Sequence, residues 1–353
     1  MNNIDINDKR TIDSFKGITF SKFQKSKVNA EIIKCLNTSK VEAACYWTAE
    51  MVCACHFADL WEIIILFVSR YIHLGNPKLP IYIAMRFAQF KEIMLNGYVG
   101  NELALRNNMK IRTIFSEIIC LLCYSRKKHS IEPIKIQKKD EFNMAVMSSR
   151  LKAPAVTYVK DIFQPNDPKE LYIAANEFAY HLSTESKNNV SACYWLEWIL
   201  EYETLCQKKK EKCIGENRSI AKVDDKFKND IIWIIWEIII VACESRQHKI
   251  LTKINQSLLD MFTIKYSTSV KRKRKFLIYF AISSLTEQVD FTVEIIKNKT
   301  ELDTIIAKVK GVYKDVKKNE ELPDMDYLYT GIERTNLDKT IERLDKMNAL
   351  MNM

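Results

Sequence analysis

The stretch that decides the fold is IIWIIWEIIIVAC, residues 231–243, one of the two longest apolar runs of the chain. Glu237 interrupts it, and it is shorter than the roughly 18 residues that a membrane span requires. We therefore interpret it as a helix buried in a protein core. The whole chain of 353 residues contains only 7 Gly and 7 Pro, too few for a turn-rich β-sandwich or a Rossmann-type enzyme. The sequence predicts an all-α protein without a membrane span.

Parts of this stretch occur twice, in the same order. Trp61-Glu62-Ile63-Ile64-Ile65 returns as Trp236-Glu237-Ile238-Ile239-Ile240, and Ala44-Cys45-Tyr46-Trp47 returns as Ala192-Cys193-Tyr194-Trp195. A third element starts basic and turns apolar, at 110–115 and at 273–278. We predict an internal duplication. The repeated side chains are the predicted core anchors of the two units: Cys45, Tyr46, Trp47, Trp61 and Glu62, then Cys193, Tyr194, Trp195, Trp236 and Glu237.

The duplication predicts tandem homologous multi-helix units, resembling a helical repeat, flanked by polar segments. The expected parts are a polar N-terminal segment with short helices (1–38), a first helical unit (39–139), connecting helices (140–188), a second helical unit (189–286) with a mobile basic insertion (207–226), and a polar helical C-terminal tail (287–353). Helices are expected near 288–317 and 334–350 within that tail.

Basic clusters are the strongest indication of a partner. The net charge is +10, from 54 Lys plus Arg against 44 Asp plus Glu, which permits a nucleic-acid or acidic-protein partner without requiring one. Five consecutive cations at a helix start oppose the helix macrodipole, which favours a compensating anion. A solvated charged face is the alternative. The candidate binding residues are Lys271, Arg272, Lys273, Arg274, Lys275, Arg126, Lys127, Lys128, Lys208, Lys209 and Lys210.

Motifs of nucleotide-binding and hydrolytic enzymes are missing from the sequence. We therefore predict a chain that is not an enzyme and that needs no cofactor. One enzymatic alternative stays open, a site between the two units that pairs Glu62 with Glu237. In the structural alternative Glu62 caps its own helix and Glu237 pairs with a cation of the neighbouring basic helix. His73 and His248 are expected to be charged capping groups at helix C-termini.

Most of the ten cysteines lie in apolar, helix-like runs, which indicates a reducing compartment. The best metal candidate combines Cys45, Cys53, Cys55 and His56, but Cys53 and Cys55 project to different sides of one helix. We predict no metal site, and we interpret the CxxC at 120–123 as structural. Cys206 and Cys213 flank a lysine run, which would lower the pKa of their thiols and allow a regulatory pair.

Two stretches, SACYWLEW at 191–198 and HLGNPKLP at 73–80, resemble uncharacterised helical proteins of large DNA viruses of protists, the mimivirus- and phycodnavirus-like group. The resemblance covers roughly residues 30–285 and implies a viral factory or host cytoplasm; the polar N-terminus likewise argues against secretion. No activity is implied by it. The leading hypothesis is a scaffold or accessory factor of a viral replication or transcription assembly. The alternative is a structural protein of the virion, such as a minor capsid or core component.

Overall fold

The computed structural model describes residues 4–137, 141–296 and 299–322. In these ranges the chain is helical, and the sole β-type pairing is an isolated bridge between Ile18 and Gln24. The predicted all-α class is confirmed. None of the helices in the described ranges is long and apolar enough to cross a membrane.

The helices form two successive series. The first comprises α1 Lys25–Asn37, α2 Val41–Cys53, α3 Phe57–Leu66, α4 Leu79–Leu95, α5 Glu102–Leu105 and α6 Met109–Tyr124. A short helix, α7 Met144–Arg150, follows. The second comprises α8 Tyr172–Leu182, α9 Asn189–Lys209, α10 Ile232–Ser245, α11 Lys249–Thr263, α12 Thr268–Lys273 and α13 Lys275–Thr286, and α14 Lys299–Lys317 comes after it. A π-helical turn, Phe67–Ile72, extends α3.

The two series share an order of packing. α1 packs on α2 as α8 packs on α9, and α2 packs on α6 as α9 packs on α13. A third pair of contacts also recurs: α4 lies against α6, and α11 lies against α13. This recurrence is what a duplication would produce, and descent of both halves from one unit stays a prediction.

The core of each half also includes residues that follow the other half in the sequence. α14 packs on α2 and α6 of the first half, where Tyr313 is buried. Glu141 and Phe142 pack on the second half: the ring of Phe142 lies 5.0 Å from that of Trp198, whose Nε1 donates to the carbonyl of Glu141. The two halves therefore share their cores. α14 begins later than the helix expected near 288–317, and the helix expected near 334–350 lies outside the described residues.

The predicted tryptophan anchors lie in the core. Trp195 and Trp236 are completely enclosed, and Trp61 packs among three phenylalanines of α4 and α6. Tyr46 and Trp47, which were predicted as core anchors, are only half-buried. Trp47 packs near the surface against Phe23.

Gly75 makes a close backbone contact that defines one of our predictions. A Cβ at this position would overlap the carbonyl of Arg126, because the chain at 126–130 runs alongside 70–75. Gly75→Ala is therefore expected to lower the free energy of unfolding by about 1–3 kcal/mol. Gly311 is the matched control, since it faces open space on α14 and Gly311→Ala should raise stability by about 0.5–1 kcal/mol. Urea denaturation of both variants measures this, and shifts of the same sign would contradict it.

Candidate functional site

Lys271, the first cation of the basic run, lies inside the protein. Its side chain is 3% exposed, and Nζ donates to both carboxylate oxygens of Glu203 at 2.6 Å and to those of Asp230 at 2.8 and 2.9 Å. Tyr266 Oη donates to Asp230 at 2.8 Å. Burial raises the pKa of Glu203, and the nearby Asp230 carboxylate adds to this effect. Lys271 is thus occupied by an internal ion pair, and its prediction as a partner-binding residue is wrong.

Arg274 is the second buried member of the run. Its guanidinium donates to the carbonyl oxygens of Met261 and Phe262 at the end of α11, and it forms an ion pair with Glu62. Arg274 separates α12, which ends at Lys273, from α13, which begins at Lys275. The carboxylate that pairs with a cation of the basic run is therefore Glu62, whereas this pairing was predicted for Glu237. Arg274 is excluded from the binding surface as well.

Lys275 extends the same pattern along α13. Its Nζ lies 2.6 Å from Glu197 Oε1 on α9, and Tyr279 Oη donates to the same oxygen at 2.6 Å. The prediction of five cations at one helix start is wrong: Lys271, Arg272 and Lys273 lie in the last turn of α12, where the macrodipole favours cations. Arg274 and Lys275 stand at the start of α13, and carboxylates of this chain compensate both. We correct the prediction for Lys275 for that reason.

Two cations of the run, Arg272 and Lys273, remain at the surface. Arg272 Nη2 contacts the carbonyl of Leu200 and the hydroxyl of Thr204 on α9 and lies 3.9 Å from a carboxylate oxygen of Glu201. Unlike Lys275, which is 20% exposed, the side chain of Arg272 is 52% exposed and so can still contact a partner. Lys208 stands one helical turn beyond Thr204 and so lies on the same face of α9. The fold thereby places Arg272 one helical turn from Lys208, and Lys209 and Lys210 follow at the exposed end of α9. We call this the α9 basic surface: Arg272, Lys273, Lys208, Lys209 and Lys210.

The other predicted cluster, Arg126 to Lys128, lies elsewhere. Lys128 Nζ forms an ion pair at 2.8 Å with Glu287, which caps the C-terminal end of α13. Lys127 Nζ donates to the Ser39 hydroxyl at 3.2 Å, while Arg126 is exposed. The α9 basic surface lies near the opposite end of α13, about 18 Å away along twelve residues of helix. The two clusters therefore do not form one surface.

Glu237 is held by a residue that sequence analysis missed. Arg218, 1% exposed in its side chain, forms ion pairs with Glu237 and with Asp167. Arg218 belongs to the basic insertion, whose Gly215 amide also donates to the carbonyl of Asn229 at 2.9 Å. The insertion is thus anchored at its second half. Its first residues do not form the expected loop, because α9 continues to Lys209; mobility of the residues between Lys210 and Gly215 stays a prediction. Among the described contacts nothing joins Glu237 to Glu62, and each has its own arginine.

Both predicted capping histidines are corrected. His73 is 2% exposed, its ring lies 4.8 Å from that of Phe280, and burial lowers its pKa to about 4. His248 is the N-cap of α11, where Nδ1 accepts a hydrogen bond from the Leu251 amide. Neither acts as a charged group at a helix C-terminus. His73 ends the π-helical turn with a φ of 47°, and sequence spacing alone gives no sign of that turn.

The cysteines differ from the expectation at one point, the thiol of Cys213 beside the lysine run. Cys55 Sγ donates to the carbonyl of Glu102, and a ring nitrogen of His56 bonds the carbonyl of Ile18, so this pair is turned to other partners. Burial raises the pKa of the Cys213 thiol to about 12. The lysines near it therefore do not produce the lowered pKa that we expected.

Comparison of this chain with models of protein families, with curated proteins and with solved structures finds no match. The resemblance to viral helical proteins stays a prediction. Function has to be argued from the side chains themselves.

Proposed function

We propose that this protein is a non-enzymatic helical scaffold that binds the phosphate backbone of nucleic acid through the α9 basic surface. The observation that carries the proposal is the contact of Arg272 with Thr204, one turn from Lys208. It joins cations 64 residues apart into one exposed group. Such a group supports contacts to phosphate, which contribute affinity but no sequence readout.

The rigidity of the underlying helices supports a scaffold. Lys271 joins α12 to α9 through its ion pair with Glu203, and Lys275 joins α13 to α9 through its ion pair with Glu197. The exposed cations thus stand on helices whose relative position is fixed by buried ion pairs. A surface of this kind loses less conformational entropy on binding than a flexible basic tail.

The proposed assembly, a viral replication or transcription complex, rests on the resemblance alone. Affinity capture of the tagged protein from infected cells, with and without nuclease, addresses it. Polymerase or helicase subunits that are lost after nuclease treatment would support a nucleic-acid-bridged factor. Capsid or core proteins that survive nuclease would favour the alternative, a structural protein of the virion.

Our binding prediction uses a variant that spares every buried cation. Replacing Arg272, Lys273, Lys208 and Lys209 with serine should weaken binding to a labelled oligonucleotide by about tenfold or more at low salt, because about four phosphate contacts are lost. Fluorescence anisotropy measures the affinity.

The matched control removes four exposed lysines of the first half instead: Lys27, Lys40, Lys91 and Lys110. Both variants have the same net charge, so a loss confined to the first one identifies the surface. An equal loss in both would reduce the effect to net charge, and unchanged binding in the first variant would refute the proposal.

A further inference from the structure

A serine, a histidine and a glutamate lie together at the C-terminal end of α8. His181 Nδ1 lies 2.9 Å from the Ser186 hydroxyl oxygen, and His181 Nε2 lies 3.5 Å from a carboxylate oxygen of Glu177. The side chains of His181 and Glu177 are each 3% exposed, whereas Ser186 is partly exposed. A hydroxyl that solvent can reach is thus followed by a buried imidazole and a buried carboxylate, the order of groups that activates a serine nucleophile.

The buried carboxylate determines which ring nitrogen of His181 carries the proton. Nε2 has no hydrogen-bond partner among the described residues, so the nearby charge of Glu177 favours the tautomer that is protonated at Nε2. Nδ1 is then unprotonated and accepts the hydrogen bond that Ser186 Oγ donates. Burial lowers the pKa of His181 to about 4, which keeps the ring neutral near pH 7 and able to take up a proton.

Backbone hydrogen bonds hold the three groups in place. Glu177 accepts hydrogen bonds from the amides of Lys152 and Ala153, both at 2.9 Å. The turn between α8 and α9 is closed by the Asn188 amide, which donates to the His181 carbonyl at 3.0 Å. The hydroxyl, the ring and the carboxylate are therefore kept in the arrangement that proton transfer needs, so their ordering is not paid for during a reaction.

We propose that Ser186 is a nucleophile that accepts an acyl group from an activated ester. Its Oγ attacks the carbonyl carbon and forms a new C–O bond, and the bond from that carbon to the leaving oxygen breaks. The hydroxyl proton passes to His181 Nδ1 and from there to the leaving oxygen. Glu177 is a positioning residue that stabilises the intervening imidazolium. One acyl group is taken up per chain without turnover, which is compatible with a scaffold and involves no residue of the α9 basic surface.

The test treats the full-length protein with p-nitrophenyl acetate and locates the acetyl groups by tandem mass spectrometry. The internal control is Ser191 on α9, which is also partly exposed but whose side chain has no hydrogen bond among the described residues. Ser186 should be acetylated about 100-fold faster or more, the gain typical of a general base. Equal rates at the two serines of the folded wild-type protein would overturn the proposal, and this result needs no variant to fold.

Two variants distinguish a reactive serine from a structural hydrogen bond. His181→Gln should slow acetylation of Ser186 to the rate of Ser191, because the proton acceptor is gone. Glu177→Gln should slow it by about tenfold or more, and nitrogen NMR should show that the His181 proton no longer prefers Nε2. Wild-type protein unfolded in urea should acetylate both serines equally. A preference for Ser186 that persists in the unfolded protein, or in a His181→Gln protein with native circular dichroism, would also overturn the proposal.

Discussion

Replacing Lys271 with serine is expected to lower the free energy of unfolding by about 3–5 kcal/mol. The reason is that Glu203 and Asp230 both point at Lys271 Nζ and are nearly buried, with side chains 9% and 4% exposed. Without the ammonium group, two carboxylates would face each other inside the protein. Breaking a buried ion pair from one side leaves an uncompensated charge, which is the costly case.

Lys273→Ser is the control for this prediction. It removes the same charge from the same helix, but at an exposed position, so its effect should stay within about 0.5 kcal/mol. Urea denaturation followed by circular dichroism compares the two variants. If both lose the same amount of stability, the buried network around Lys271 is not the one described.

Acidification is expected to destabilise the fold through two buried histidines, His73 and His181. Burial lowers the pKa of each from 6.5 to about 4. The unfolded chain therefore binds protons that the folded chain does not. The contribution of these histidines to stability is fully present above pH 6.5 and falls as the pH decreases toward 4, by about 3 kcal/mol for His73. The loss is smaller for His181, because a Glu177 carboxylate oxygen lies 3.5 Å from its Nε2 and favours the protonated ring.

The measurement is the midpoint of urea unfolding at a series of pH values between 7 and about 4, the interval over which each histidine exchanges its proton. A variant with His73→Asn and His181→Gln should lose less stability on acidification, because both titrating groups are gone. Asparagine is used at residue 73 because it tolerates the positive φ there. His129→Gln, at an exposed site, should reproduce the wild-type curve. Coincident curves for all three proteins would show that the buried histidines do not determine the acid limb.

The fold class could be predicted from sequence because it depends on local properties. Few glycines and prolines exclude turn-rich folds, and apolar runs around Trp61 and Trp236 predict buried helices. The packing of Glu141 and Phe142 on the second half, and of α14 on the first, could not be predicted. It depends on which grooves remain open after the other helices have packed, and local pattern does not encode that.

The candidate binding residues could likewise be predicted only in part from the sequence. The run at 271–275 identifies a concentration of charge, but not which charges face the solvent. Spacing gives part of that signal, since Lys271, Arg274 and Lys275 would share one face of a continuous helix. The break at Arg274 between α12 and α13 is not visible in the sequence. Their partners cannot be read from local sequence, since Glu62 is 212 residues from Arg274. The partner of Glu237, Arg218, is only 19 residues away, but it lies in a loop outside any helical pattern.

The salt dependence of nucleic-acid binding tests the central claim most directly. Affinity of the wild-type protein and of the Arg272, Lys273, Lys208 and Lys209 variant is measured over a series of salt concentrations. We predict that the log–log slope of the variant is shallower by about 3, since each lost phosphate contact reduces it by roughly 0.7–0.9. Equal slopes for the two proteins, with binding intact, would contradict the assignment of the α9 basic surface.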